Sequence, residues 1–287
     1  MDLNADGHND ILSGSYSRMG QQPMAGTFQV LWGKPDGSFK KAETLSGTDG
    51  EPLIIPSKGE DDIVESICTR PFAADWDGDG DLDLVVGNFA GKFHLFTGEG
   101  KGKFQPKSEP ILAGKEPLLV PGHHGDPFVI DWDKDGDLDI VSGSDGGGVF
   151  WAENTAGAKK KPELKQFAAI IKPREERIHE CRPDEVKEPT GSTRVWVADV
   201  NGDGKLDILV GDNISLVSPA AGVSEEEYKK RREEWQKAYS DAAKAAQAET
   251  DEEKRAPLYE KMNNLYQSRS EFMTEDRTGF VWLYLQK

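Results

Sequence analysis

The chain has 287 residues, 36% of them hydrophobic and 31 of them glycine, so it can bury a real core and is not compositionally disordered. Asp plus Glu number 52 against 35 Lys plus Arg, a formal net charge of −17, which excludes nucleic acid and anionic membrane surfaces as natural partners and suits bound cations. Two cysteines, Cys68 and Cys181, exclude a disulfide framework and leave one bridge or two thiols open. No apolar run approaches the roughly 18 residues of a membrane span, and no signal peptide opens the sequence.

In chain order, the first element is an acidic loop, "DLNADGHNDILSG" from Asp2, followed by a strand reading "GTFQVLWG" from 26 and an Asp-Gly hairpin turn in "KPDGSFKKAETL". A strand "PFAAD" then leads into "DWDGDGDLDLVVG" from Asp75, with "GKFHLFTG" from 91 after it and a further turn in "GEGKGKFQPK". The plan returns as "PFVID", "DWDKDGDLDIVSG" from Asp131 and "GGVFWAEN" from 147, and again as "RVWVAD" and "DVNGDGKLDILVG" from Asp199. Extra loop falls around 44–66, 105–127 and 157–192. Residues 212–278 break the pattern and read as a helical hairpin. Its first helix opens with a capping box, Ser224 to Glu227, and places Tyr228, Trp235, Tyr239, Ala242 and Ala246 near one face. Its second, starting near Thr250 or Pro257, carries Leu258, Met262, Leu265 and Phe272. The hairpin packs on itself or serves as an arm for another protein. A last strand, "GFVWLYLQ" from 279, closes the chain.

The four loops share one pattern, D-x-[DN]-x-D-G-x-x-D-[IL]-x-x-G, ending at Gly14, Gly87, Gly143 and Gly211. Average residue usage predicts a chance match to its nine-residue core about once per million positions, so the chain is internally repeated. Oxygen ligands at positions 1, 3, 5 and 9 with a backbone carbonyl at 7 wrap a hard cation, and glycine at 6 allows the sharp turn; calcium, with six to eight oxygens in loose geometry, fits best. The expected side-chain ligands are Asp2, Asn4, Asp6 and Asp10; Asp75, Asp77, Asp79 and Asp83; Asp131, Asp133, Asp135 and Asp139; and Asp199, Asn201, Asp203 and Asp207. The carbonyls of His8, Asp81, Asp137 and Lys205 complete four sites for about four Ca²⁺ ions. Plain Asp-Gly turns without an ion are the alternative for any single copy. An EF-hand does not fit, because position 12 holds Ser13, Val86, Ser142 or Val210 instead of glutamate and the flanks read as strands.

These loops resemble the calcium loops of FG-GAP/VCBS-type repeats, found in integrin α-subunit propellers and in secreted bacterial proteins. The resemblance implies an all-β fold, a β-propeller whose blades hold the loop between their first two strands. About four blade-like units are visible, open or truncated, because the first lacks a strand before its loop and the last stops after its third. The expected domains are propeller repeats at 1–222, a helical hairpin inserted at 223–275 and a final propeller strand at 276–287.

In that plan "ESICTRP" (65–71), "PGHHGDP" (121–127), "TGSTR" (190–194) and the hairpin meet on the face opposite the calcium loops. Arg70 and Arg194 stand five residues before their loops, with Asp126 at the matching place in the third unit. They hold a carboxylate or sugar, or pair with the acidic surface. His123 and His124 are candidates for a general base or transition-metal ligand, against a role as turn residues. Trp76 and Trp132, inside loops, are expected to be partly exposed. No GxSxG, HExxH, P-loop or CxxC motif is present. The expected function is a calcium-stabilised extracellular or periplasmic binding module for a glycan or protein, preferred over an enzyme. The alternative is a carbohydrate-active enzyme such as a polysaccharide lyase, using His123 or His124 as base and Arg70 or Arg194 to hold a uronate. The sequence names neither the ligand nor the oligomeric state.

Overall fold

Four copies of one loop give four copies of one hairpin plan, because each loop is followed by residues apolar on both faces that must be covered from both sides. The computed structural model describes residues 1–287 except 19, 21, 22, 58, 59, 159 and 177, and only the backbone of 60 and 61. It is mostly antiparallel β-structure in several small sheets, with two helices. The first sheet holds β1 (Ile11–Gly14), β2 (Phe28–Leu31) and β3 (Glu43–Thr44). The second holds β4 (Arg70–Ala74), β5 (Asp83–Gly87), β6 (Phe93–Phe96) and β7 (Glu109–Pro110). A short hairpin, β8 (Leu112–Ala113) with β9 (Glu116–Pro117), comes before the third sheet of β10 (Asp126–Ile130), β11 (Asp139–Gly143), β12 (Val149–Ala152) and β13 (Ala168–Ile171).

The chain divides into two compact units. The first comprises residues 1–177, 188–213 and 280–287, the second 178–187 and 214–279. After β14 (Glu180–Cys181) of the second unit, β15 (Gly191–Ala198) pairs antiparallel with the long strand β16 (Asp207–Pro219) over residues 191–198. The 214–219 stretch of β16 pairs with β17 (Met273–Thr278) and with β14, while residues 208–211 pair with β18 (Val281–Tyr284).

Registers repeat from sheet to sheet. The motif glycines pair with Phe28, Phe93, Val149 and Val281, which fixes the equivalence of every neighbouring position. Alternation then sends successive residues of each central strand to opposite faces. Leu84 and Val86 pack toward the first sheet with Phe28, Val30 and Phe104, whereas Val85 packs toward the third with Ile140 and Phe150. Val141 in turn packs toward the fourth with Ile208 and Val210. Trp76, expected to be partly exposed, is buried in the second of these layers. Its large apolar indole leaves water for the apolar layer beneath. Trp132 is half-buried.

Three of the motif glycines mark the seams between sheets. A Cβ on Gly14 would stand 1.9 Å from the Thr69 carbonyl oxygen; on Gly87, 2.1 Å from that of Gly125; on Gly143, 2.2 Å from that of Thr193. At each seam the chain after the glycine is joined to the lead-in of the next unit by the same two backbone bonds. Ser15, Asn88 and Ser144 accept from the N–H of Thr69, Gly125 and Thr193, and Tyr16, Phe89 and Asp145 from those of Cys68, His124 and Ser192. Cys68, His124 and Ser192 all adopt positive φ, 59°, 60° and 52°. This conformation is unusual for residues with a side chain, so the seam geometry imposes it.

In the second unit, α1 (Glu225–Ala248) starts at Ser224, whose side chain accepts the Glu227 N–H, and buries Tyr228, Ala242 and Ala246. α2 (Glu252–Ser268) starts at Asp251, so Pro257 lies inside the helix instead of opening it. The Trp235 indole donates to the Leu265 carbonyl at 2.7 Å. Phe272 follows a 3₁₀ turn, not the helix, and is buried with Val217, Tyr228 and Met273. Cys68 carries a free thiol, and Cys181 is buried.

Candidate metal centres and the arginine cluster

Each acidic loop is built by nested turns in which a side-chain oxygen accepts a backbone N–H two to five residues further on, the habit of Asp and Asn that makes them turn formers. The position 1 carboxylates of Asp2, Asp75, Asp131 and Asp199 accept from the position 6 glycine N–H at 2.8–3.1 Å. Position 3 accepts from position 5, and position 5 from position 7, in all four loops. The position 6 glycines have φ between 82° and 98°, as their place in the motif requires. Position 4 is also left-handed in every loop, at Ala5, Gly78, Lys134 and Gly202. Glycine at two of these four places was the only signal of this in the sequence.

The position 9 aspartates behave differently from the rest. Asp10, Asp83, Asp139 and Asp207 are buried, and both oxygens of each carry backbone bonds. One oxygen accepts the N–H of position 2, from Leu3, Trp76, Trp132 or Val200, at 2.8–3.0 Å. The other accepts an N–H just beyond the third strand, from Gly33, Gly98, Asn154 or Gln286, at 2.6–3.0 Å. Each carboxylate therefore clips the start of a loop to the end of its sheet. Burial pushes the Asp83 carboxyl up and that of Asp139 to about 6, against the lowering effect of those N–H bonds.

Carboxylates converge most in the two middle loops. Oxygens of Asp75, Asp77 and Asp79 lie within 4.8 Å of one another, as do those of Asp131, Asp133 and Asp139. In the second loop Asp75 Oδ1 is buried and accepts no hydrogen bond among the described residues. An orphaned anionic oxygen is costly in a protein, and among neighbouring carboxylates a hard cation satisfies it. In the first and fourth loops, position 3 is asparagine, and its amide donates to the position 5 carboxylate: Asn4 Nδ2 to Asp6 Oδ2 at 3.1 Å and Asn201 Nδ2 to Asp203 Oδ2 at 3.2 Å. Those loops partly satisfy themselves. The Asp203 carboxyl is held low, chiefly by the Lys205 N–H, whereas that of Asp133 is raised, first by burial and then by the charge of Asp135. Oxygen-rich, wholly aspartate donor sets fit calcium.

A groove of about 1050 Å³ runs beside the second loop, lined by Asp77, Asp79, Leu95 and Thr97 on one side and by Thr155, Lys161 and Lys165 of the third unit on the other. Sequence reasoning missed it, because its far wall comes from the 155–165 connection, which carries no motif.

Of the residues expected at the opposite face, Arg70, Arg194 and Asp126 come together. Arg70 Nε and Arg194 Nε lie 3.7 and 3.6 Å from Asp126 Oδ1, beside a cleft of about 380 Å³ lined by Tyr16, Cys68, Arg70 and Asp126 among others. Burial and then the neighbouring Arg194 lower the Arg70 guanidinium. Burial raises the Asp126 carboxyl, and the two arginines oppose it. His124 is half-buried with its ring edge-on to Phe89 at 4.4 Å and Nδ1 3.8 Å from Asp145. Burial first, then Arg70, push its pKa down. His123 packs against the same Phe89 ring at 6.0 Å. The His124 backbone occupies a seam position equivalent to Cys68 and Ser192.

Among the described residues no helix is long and apolar enough to cross a membrane. Comparison with known proteins gives similarity to cartilage acidic protein 1 of Mus musculus, 26% identical over 150 residues, which is 51% of this chain and 21% of that protein. The Homo sapiens and Xenopus tropicalis proteins of the same name are 26% and 25% identical over 51% and 58% of the chain. The aligned part of the chain thus spans between a fifth and a quarter of these relatives. A model of the FG-GAP-like repeat matches residues 75–142, the stretch that contains both middle loops, so this part of the chain carries an FG-GAP-like repeat.

Proposed function

We propose that the chain is a calcium-stabilised extracellular interaction module of propeller-like construction, with the middle loops as its principal ion sites and the outer loops as weaker ones, four in all. The observation that carries this reading is the buried, unpartnered Asp75 Oδ1 amid the converging carboxylates of Asp77 and Asp79. Calcium would neutralise like charges held at loop positions 1, 3 and 5 and take the position 7 carbonyl. The position 9 carboxylate would link it to the sheet. At free calcium tenfold above its dissociation constant, each occupied site adds about 1.4 kcal/mol by mass action, a real fraction of the roughly 5–15 kcal/mol that hold a domain folded. Millimolar calcium outside cells suits open loops of this kind. The relatives are named for cartilage and for acidity, and this chain shares the acidity, at −17.

The ligand is a glycan or a protein, and the groove beside the second loop is the favoured seat. A loop-bound ion would meet ligand oxygens there, with Lys161 and Lys165 on the facing wall. The polysaccharide lyase alternative has less support. Arg70 and Arg194 both face Asp126, and His124 has a structural part in a seam.

The test is thermal unfolding in millimolar calcium and after exhaustive chelation. The expected result is a drop of roughly 5–15 °C for several sites of this strength. An unchanged melt after verified removal of calcium would overturn the reading.

A further inference from the structure

The sheets of the first compact unit pack in succession, and equivalent positions should be equally covered unless a neighbour is missing. On the forward face of each sheet, the lead-in, central and third strands present Phe72, Val85 and Leu95 in the second sheet, and Phe128, Val141 and Trp151 in the third. In the fourth they present Trp196, Leu209 and Leu283. The rings form a ladder, Phe72 on Phe128 at 4.8 Å and Phe128 on Trp196 at 5.2 Å. The ladder then stops. Trp196 is 60% exposed, Leu283 48% and Val281 73%, whereas Phe93 and Val149, the equivalents of Val281, are 0–1% exposed. Gly211 gives the same picture. Its Cβ would find only the Arg194 side chain at 3.9 Å, where the other three motif glycines meet the backbone of a following unit.

The rear face of the first sheet is bare in the complementary sense. Motif position 10 is fully buried at Leu84 and Ile140 and nearly so at Ile208, each under the preceding sheet, but Ile11 is 46% exposed and its partner Leu31 half-buried. The chain thus carries one uncovered face of the kind that receives a sheet and one of the kind that is received.

We propose that a second copy of this chain docks head to tail, the rear face of its first sheet (Ile11, Leu31) covering the forward face of the fourth (Trp196, Leu209, Val281, Leu283). The ground for choosing this occupant is continuity with the internal packing, which joins successive sheets in the same way three times already. The residues that meet in this joint, Ile11 and Leu31 on one side and Trp196, Leu209, Val281 and Leu283 on the other, form apolar rows. A contact of this sort is heterologous: the two patches differ, and each copy contributes one of each. The inference is independent of calcium occupancy.

The experiment is analytical ultracentrifugation of the full chain at about 10–200 µM with Ile11→Lys and Trp196→Glu variants, each checked by thermal melting. Val281→Lys replaces Trp196→Glu if that variant melts early. Wild type is expected to associate, and each variant alone to sediment as a monomer. An equimolar mixture of the two variants is expected to form a 1:1 complex, because one joint in the mixture has neither substitution. A monomeric wild type throughout this range, association that ignores Ile11→Lys as a face-to-face pairing of fourth sheets would, or failure of the mixture to associate would each overturn the proposal.

Discussion

The two middle acidic loops and the two outer ones share a backbone and differ in charge. All four are closed by the same nested turns, the same left-handed residues at positions 4 and 6, and the same buried aspartate at position 9. The second loop carries Asp75, Asp77, Asp79, Asp81 and Asp83 with no basic residue, whereas the fourth has asparagine at position 3 and Lys205 at position 7. Lys134 of the third loop also donates to the Gly204 carbonyl of the fourth. The shape of the loop therefore does not depend on how many charges it holds. Geometry is a property of the position 9 clip and the glycines; the difference in charge lies at positions 3 and 7.

The largest expected effect tests the first half of that statement. Asp83→Ala or Asp139→Ala leaves two backbone N–H groups without acceptors and a void beneath the loop, a loss of roughly 3–5 kcal/mol. Thermal melts should fall by about 6 °C or more for a chain of this size. Asp10→Ala should cost a similar amount in chelator, because its two bonds are the same. If the middle-loop variants lose no more than Asp10→Ala in calcium as well, the supposed difference between the loops is gone.

Next comes the contrast between covered and uncovered faces. Phe128→Ala removes a buried ring that touches Phe72 and Trp196 and should cost about 3–4 kcal/mol. Trp196→Ala, at an equivalent position but more than half exposed, should cost under about 1 kcal/mol in dilute monomer. Urea unfolding of both variants measures the gap.

A smaller effect separates the second sheet from the third. His94 stands where the third sheet has Phe150, and both of its ring nitrogens are buried without a hydrogen-bond partner among the described residues. Burial lowers its pKa to about 4, with Glu65 opposing and Lys92 adding to the shift. A folded pKa below the unfolded value of about 6.5 means that the unfolded chain takes up the proton first. The stabilising share is complete above about pH 6.5 and is lost as pH falls toward 4. At pH 5 the loss is on the order of 2 kcal/mol. His94→Phe should flatten stability between pH 6.5 and 5, read by urea unfolding at each pH; an unchanged slope would show that other groups set it.

What the sequence disclosed follows from what a repeat can encode. Four spaced aspartates, the position 6 glycine and the period-2 strands were legible because local turn chemistry and alternation demand those residue types. The seam was not legible. Cys68, His124 and Ser192 share a conformation and a backbone bond but no chemistry, so the pair His123 and His124 read as a candidate base when His124 serves a backbone place that a cysteine and a serine fill in the other seams. Trp76 was misread for a related reason: a loop position says nothing of the apolar layer below it. Arg70, Arg194 and Asp126 were placed together by counting from the loops, and they meet because the lead-in strands keep the register. Pro257 fell inside α2 because the Asp251 cap lies six residues earlier and sets the helix start.

The finest comparison exchanges the residue that distinguishes the loops. Asp77→Asn puts into the second loop the amide found at Asn4 and Asn201. It removes one of three converging carboxylates and supplies a donor for a neighbouring oxygen. Calcium affinity there should fall roughly tenfold, about 1.4 kcal/mol, since ligand charge count tunes such sites. Asn201→Asp is the reverse exchange, and it breaks the 3.2 Å bond to Asp203. Without calcium it should destabilise slightly by like-charge repulsion; with calcium it should gain affinity, although less than Asp77→Asn loses, because Lys205 and Lys134 still lower the demand for a cation nearby. Isothermal titration of the two variants beside wild type separates the contributions. If both exchanges leave affinity unchanged, position 3 is a turn former only, and the distinction between middle and outer loops has to be drawn from position 7 instead.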